Sequence, residues 1–61
     1  MDKFRFKVVR TDGSHYFTTH KFLLFSGAFI HAASVSQTAD DVRSVDIYYC
    51  KTNKLIATFY H

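Results

Sequence analysis

Asp12, Ser14 and His15 bring the three residue types of a hydrolytic triad within four positions of one another. A triad requires nucleophile, base and orienting carboxylate to converge on one point. Here they flank Asp12-Gly13, a tight-turn signal, and neighbouring residues that leave such a turn point to opposite faces. The trio therefore reads as a turn. The four histidines, His15, His20, His31 and His61, lack the close spacing of metal-binding pairs, and His15 and His20 are expected on opposite strand faces. His31 reads as a helix boundary residue that would titrate near neutral pH if it met Asp40 or Asp41. Asp40, Asp41 and Asp46 have no glycine-bearing calcium loop around them, and a charged loop is ordinarily solvated.

Cys50 is the one thiol, next to Lys51, but no base is at hand and a lone strand cysteine usually acts as a small apolar filler. Gly13 and Gly27 are far apart and neither opens a phosphate-binding strand-to-helix turn. The expectation is no catalytic residue, no metal ligand set and no cofactor; the chain reads as a non-enzyme. What remains is association. Arg5 and Lys7, together with Tyr16, His20, Tyr48, Ile56 and Tyr60, are the residues through which such a chain could grip a partner.

The elements that must carry them are constrained by size. Sixty-one residues make one domain, 1–61, because so short a chain buries only about 60% of its unfolded surface and has no room for a second core. Seven Phe, four Tyr and 48% hydrophobic residues exclude disorder. A single cysteine excludes an internal disulfide and fits a reducing compartment, so part of the stability is expected from a partner chain. The N-terminal alternation of charge with Phe in Asp2-Lys3-Phe4-Arg5-Phe6-Lys7 is unlike a secretory signal, and the most apolar stretch, Phe22 to Val35, falls short of the roughly 20 residues that cross a bilayer. A cytoplasmic protein without membrane contact is expected.

Phe4, Phe6 and Val8 alternate with Arg5, Lys7 and Val9, the period of a half-buried strand. Asp12-Gly13 suits a two-residue type I′ turn, which sets Thr11 opposite Ser14 and Val8 opposite Phe17. In that register Tyr16, Thr18 and His20 share the outer face with Lys3, Arg5, Lys7 and Val9. Thr19 to Ser34 reads as a helix capped by Thr18 or Thr19, with a buried strand over Phe22 to Phe25 as the alternative. Val35 to Val42 reads as polar, with Asp40-Asp41 in a solvated loop or a single helical turn started by Thr38. Arg43 to Cys50 and Leu55 to Tyr60 form a second hairpin, with Asn53 best able to adopt a left-handed conformation. An odd-length loop groups Val45, Ile47 and Tyr49 with Leu55, Ala57 and Phe59, and leaves Asp46, Tyr48, Cys50, Ile56, Thr58 and Tyr60 outside.

The fold expected is thus α+β: a small β-β-α-β-β domain whose four-stranded antiparallel sheet carries one helix on one face, with an all-β small barrel as the alternative. Its uncovered face is basic and aromatic. Tyr and Arg are favoured interface anchors, so a protein-binding module is expected, with Tyr16, Tyr48 and Tyr60 as anchors and Arg5 and Lys7 as steering charges. The same groups would serve a single-stranded RNA- or DNA-binding domain, the rings stacking bases and the cations meeting phosphates. A structural homodimer is the third reading. In length and element order the chain resembles small bacteriophage proteins that bind and block a host enzyme, among them anti-restriction, anti-CRISPR and antitoxin-type factors. That resemblance implies a stoichiometric inhibitor or antitoxin-like factor. The positive net charge of +3 argues against the acidic DNA-mimic subset of such inhibitors.

Overall fold

The structure, a computed structural model, describes residues 1–61. The elements run β1 (Asp2–Arg10), β2 (His15–Phe22), α1 (Phe25–Thr38), β3 (Val42–Tyr49) and β4 (Lys54–Tyr60). All pairings are antiparallel in one open sheet of order β2-β1-β3-β4, with the helix on one face. The α+β architecture is therefore the one expected, and the sheet does not close into a barrel.

β1 is central and obeys its alternation. Phe4, Phe6 and Val8 are fully buried beneath the helix, while Lys3, Arg5 and Lys7 project to the other side. Each such buried side chain contributes about 1.5–3 kcal/mol, and this strand supplies three of the eight core positions. β3 supplies Val42, Val45 and Ile47. The helix adds Ala28 and Ala32, followed by buried Ser36, a small-residue stripe at four-residue spacing that lets its backbone lie close on the sheet. Ser36 returns its hydroxyl to the carbonyl of Ala33 at 2.9 Å, so its burial leaves no orphan donor.

The first turn departs from expectation. Three residues, Thr11 to Gly13, connect the strands: Arg10 N–H donates to the Ser14 carbonyl (2.8 Å) and Gly13 N–H to the Arg10 carbonyl (3.0 Å). Gly13 takes φ +89°, and Asp12 Oδ1 accepts from both the N–H and the hydroxyl of Ser14 (2.9 and 2.6 Å). Asp-Gly serves this three-residue loop as readily as a type I′ turn, because one left-handed glycine is enough. Tyr16 consequently stands opposite Val8, and Phe17 opposite Lys7. A one-residue slip exchanges the two faces of a strand, so Tyr16, Thr18, His20 and Phe22 face the helix and His15, Phe17, Thr19 and Lys21 face away.

The helix begins six residues later than expected and extends four residues further. Thr18 and Thr19 are in the ladder with Phe6 and Arg5, where β-branched side chains are at ease, and Phe22 turns inward against Phe4 and Phe6 (centroids 6.2 and 6.1 Å). Leu24, in extended conformation, occupies the N-cap position without a side-chain hydrogen bond. Packing, not capping, therefore holds this helix. Gly27 lets the first turn of the helix lie close against Phe22: a Cβ there would meet Phe22 Cδ1 at 3.0 Å. An α-helix about 10 Å wide cannot roof four strands spaced about 4.8 Å apart, and this one lies chiefly over β3. The inward face of β2 is left half open.

In the second hairpin four residues, Cys50 to Asn53, join the strands, with Asn53 N–H donating to the Tyr49 carbonyl (2.7 Å) and Asn53 at φ +56°, the left-handed residue anticipated. The even loop puts Leu55 opposite Tyr48; a bulge at Ile56 then restores the pairing of Ile47 with Ala57 and Val45 with Phe59. The expected odd register is thus correct beyond the bulge and wrong before it. Leu55 and Ile56 exchange roles: Leu55 faces the open side and Ile56 packs against the core. No helix is long and apolar enough to cross a membrane.

Candidate binding face

The open face is built in cross-strand rows. One runs through Thr19, Arg5, Tyr48 and Leu55, and the next through Phe17, Lys7, Asp46 and Thr58. At their meeting point the Arg5 guanidinium lies between two rings, its carbon 5.3 Å from the Phe17 centroid and 5.2 Å from that of Tyr48. Arg5 Nη2 also donates to Asn53 Oδ1 at 2.9 Å, which ties the side chain to the left-handed turn residue of the second hairpin. The clamp shields Nε from solvent without giving it a partner. A planar cation between two π-faces is held in one geometry by attraction worth about 0.5–1 kcal/mol per ring at exposed sites. This face thus presents a pre-formed Arg-aromatic centre.

Charge is distributed just as unevenly. Among the residues that the register places on the open face, Lys3, Arg5, Lys7 and Lys21 stand against Asp46, a local surplus of three positive charges. The other four cations, Arg10, Arg43, Lys51 and Lys54, equal the other four aspartates in number. Asp46 accepts from the Thr58 hydroxyl at 2.8 Å, and the single ion pair of the molecule, Arg10 with Asp41 at 3.7 Å, lies elsewhere. The lysines of the face are consequently free to meet an external anion.

Of the residues expected there, Arg5, Lys7, Tyr48 and Tyr60 share the face. Tyr16, His20 and Ile56 do not. Tyr16 and His20 lie on the helix side because of the three-residue turn, and Ile56 because of the bulge. Phe17, Lys21 and Leu55 take their places. The signal that could have found them is Phe22: were it assigned inward on β2, period two would have carried Tyr16 and His20 inward with it.

Two of the displaced residues, Tyr16 and His20, line a second feature, a groove of about 170 Å³ between β2 and the helix. Its floor is Phe6, Val8, Val35 and Val45, and its rim Tyr16, Thr18, His20 and His31. The rings of His20 and His31 are 4.5 Å apart and Phe6 meets His31 edge-on at 4.9 Å. Burial, and next the neighbouring His20, push the pKa of His31 below its ordinary 6.5. No group of three metal-ligating side chains converges here or elsewhere. At the first turn Ser14 gives its hydroxyl hydrogen to Asp12, holding that carboxyl below its usual range, and the His15 ring packs against Phe17 (5.6 Å). The triad residue types thus form no nucleophile-base contact.

Compared with protein-family models, with curated proteins and with solved structures, the chain matches none. The fold and the face define its class: a small α+β domain with one helix-covered sheet surface and one open, basic and aromatic surface.

Proposed function

We propose that this protein is a non-catalytic binding module whose open sheet face seats against an acidic surface of a protein partner in a one-to-one complex, acting as an inhibitor or adaptor of that partner. The carrying observation is Arg5 held between Phe17 and Tyr48 at the centre of the sheet. Arg and aromatic side chains are the commonest binding hot spots, and a pre-ordered centre loses less conformational entropy on association. Lys3, Lys7 and Lys21 around it would raise the on-rate toward an acidic patch.

Single-stranded nucleic acid is the second reading, favoured by the positive surplus of Lys3, Arg5, Lys7 and Lys21 over Asp46 on this face. It is placed second because Arg5 already lies over two of the rings that unpaired bases would need. The test uses tagged wild-type protein, Tyr48→Ala and Lys7→Glu/Lys21→Glu as baits in native-cell extract, each divided into nuclease-treated and untreated halves. A protein retained after nuclease, lost with Tyr48→Ala and only weakened by the charge reversals, supports the first reading. Material lost after nuclease, and bound with a steep salt dependence that the charge reversals flatten, supports the second. A partner captured equally by all three baits would place the contact on another surface.

A further inference from the structure

The two sheet edges are unequal. β4 is interrupted by its bulge at Ile56, a device that twists an edge away from further pairing. β2 runs eight residues, His15–Phe22, with no proline and no bulge, and Lys21, near its end, is its one charged side chain apart from histidine. Because Arg10 and Ser14 form a hydrogen-bonded pair, alternation along the ladder directs the N–H and C=O of Tyr16, Thr18, His20 and Phe22 to β1. Those of His15, Phe17, Thr19 and Lys21 point outward, away from the sheet. This edge is also the side on which the helix leaves the sheet uncovered.

We infer that β2 pairs antiparallel with β2 of a second copy about a two-fold axis at Thr18, forming one eight-stranded sheet. A two-fold axis perpendicular to the sheet keeps both helices on the same side and requires paired residues of like parity. Centring on Thr18 satisfies this and places Phe17 opposite the second copy's Thr19 and His15 opposite its Lys21. All four outward residues then exchange both backbone hydrogen bonds. On the helix side Tyr16 comes opposite the second copy's His20, so the groove residues of one copy face those of the other and the two grooves merge.

A second copy is the occupant because the same uncovered row, Tyr16, Thr18 and His20, is what the exposed row needs for cross-strand cover, and the two-fold supplies it in matching register. His15 against Lys21 is the one unfavourable pair, and it lies on the solvated open face. The assembly does not depend on what that face binds, although it would join two basic faces side by side.

The test is sedimentation equilibrium over roughly a thousandfold range of protein concentration, together with amide hydrogen exchange read by NMR. The expected result is a monomer-dimer equilibrium in which the amides of Phe17, Thr19 and Lys21 gain protection as concentration rises, while the amides of Tyr16 and Thr18 are protected throughout. Thr19→Pro removes an outward N–H and none of the β1 ladder, and should raise the dimer dissociation constant by about tenfold or more with the circular dichroism unchanged. A chain that stays monomeric at every concentration overturns the inference. So does a dimer whose odd-numbered β2 amides exchange freely, a reading that needs no variant to fold.

Discussion

Tyr16 stands directly opposite Val8 across the β1–β2 ladder, on the helix side of the sheet. Its neighbour Phe17 therefore projects to the other side and meets Arg5. Two adjacent aromatic residues so acquire different duties: Tyr16 packs beneath Arg10, whose guanidinium carbon is 4.6 Å from its ring, and Phe17 completes the Arg5 clamp.

That division predicts separable effects. Phe17→Ala should reduce partner affinity about tenfold or more by removing one wall of the clamp, while a half-exposed position on an edge strand costs stability only about 1 kcal/mol. Tyr16→Ala should leave affinity within about threefold, since its ring faces the groove. Binding titrations paired with urea unfolding of each variant check both; equal affinity losses would mean that the open face is not the contact.

Gly27 lies against the Phe22 side chain, and Gly27→Ala sets two effects against each other. Helix propensity favours Ala by about 1 kcal/mol. Against it, the new methyl would press on the Phe22 ring, itself wedged among Phe4, Phe6 and His31, at 3.0 Å. A ring held on three sides yields poorly, and overpacking costs about 1–3 kcal/mol, so net destabilisation of about 1 kcal/mol is the expected outcome. Chemical denaturation of the pair of proteins measures it.

His31 gives stability a pH dependence of definite sign. Its pKa in the fold is lowered, first by burial and then by His20, so the unfolded chain takes up the proton at a higher pH than the folded one. At high pH both states hold neutral imidazole and there is no penalty. As pH falls through 6.5 toward the lower folded value, this group's contribution becomes progressively destabilising, and below it the loss is constant. His31→Gln should flatten the fall in melting temperature as pH drops from about 7 through 6.5 and below, relative to wild type. A slope unchanged in the variant would assign it to other groups.

The β-β-α-β-β order, the central burial of Phe4, Phe6 and Val8, and the left-handed Asn53 were all legible in the chain. Each rests on short-range physics: period-two alternation, and the few residue types that tolerate positive φ. Arg5, Lys7 and Tyr48 were legible for the same reason, since β1 and the centre of β3 have one face that can only be core.

Which residues complete the face was decided by tertiary structure. β2 reads His-Tyr-Phe-Thr-Thr-His-Lys-Phe, with aromatics of both parities, so no alternation singles out an inner face, and a turn of two or three residues is compatible with Asp12-Gly13. Packing resolves the choice, because Phe22 is drawn in against Phe4 and Phe6 and takes every even-numbered side chain of β2 with it. The bulge at Ile56 arises likewise: Ala57 and Phe59 must face Ile47, Val45 and the helix, while a four-residue turn starts the strand in the opposite parity. One extra residue reconciles them. A strand's register is a relation between segments, set by which arrangement buries the larger apolar surface, and the residues of a single segment do not contain it.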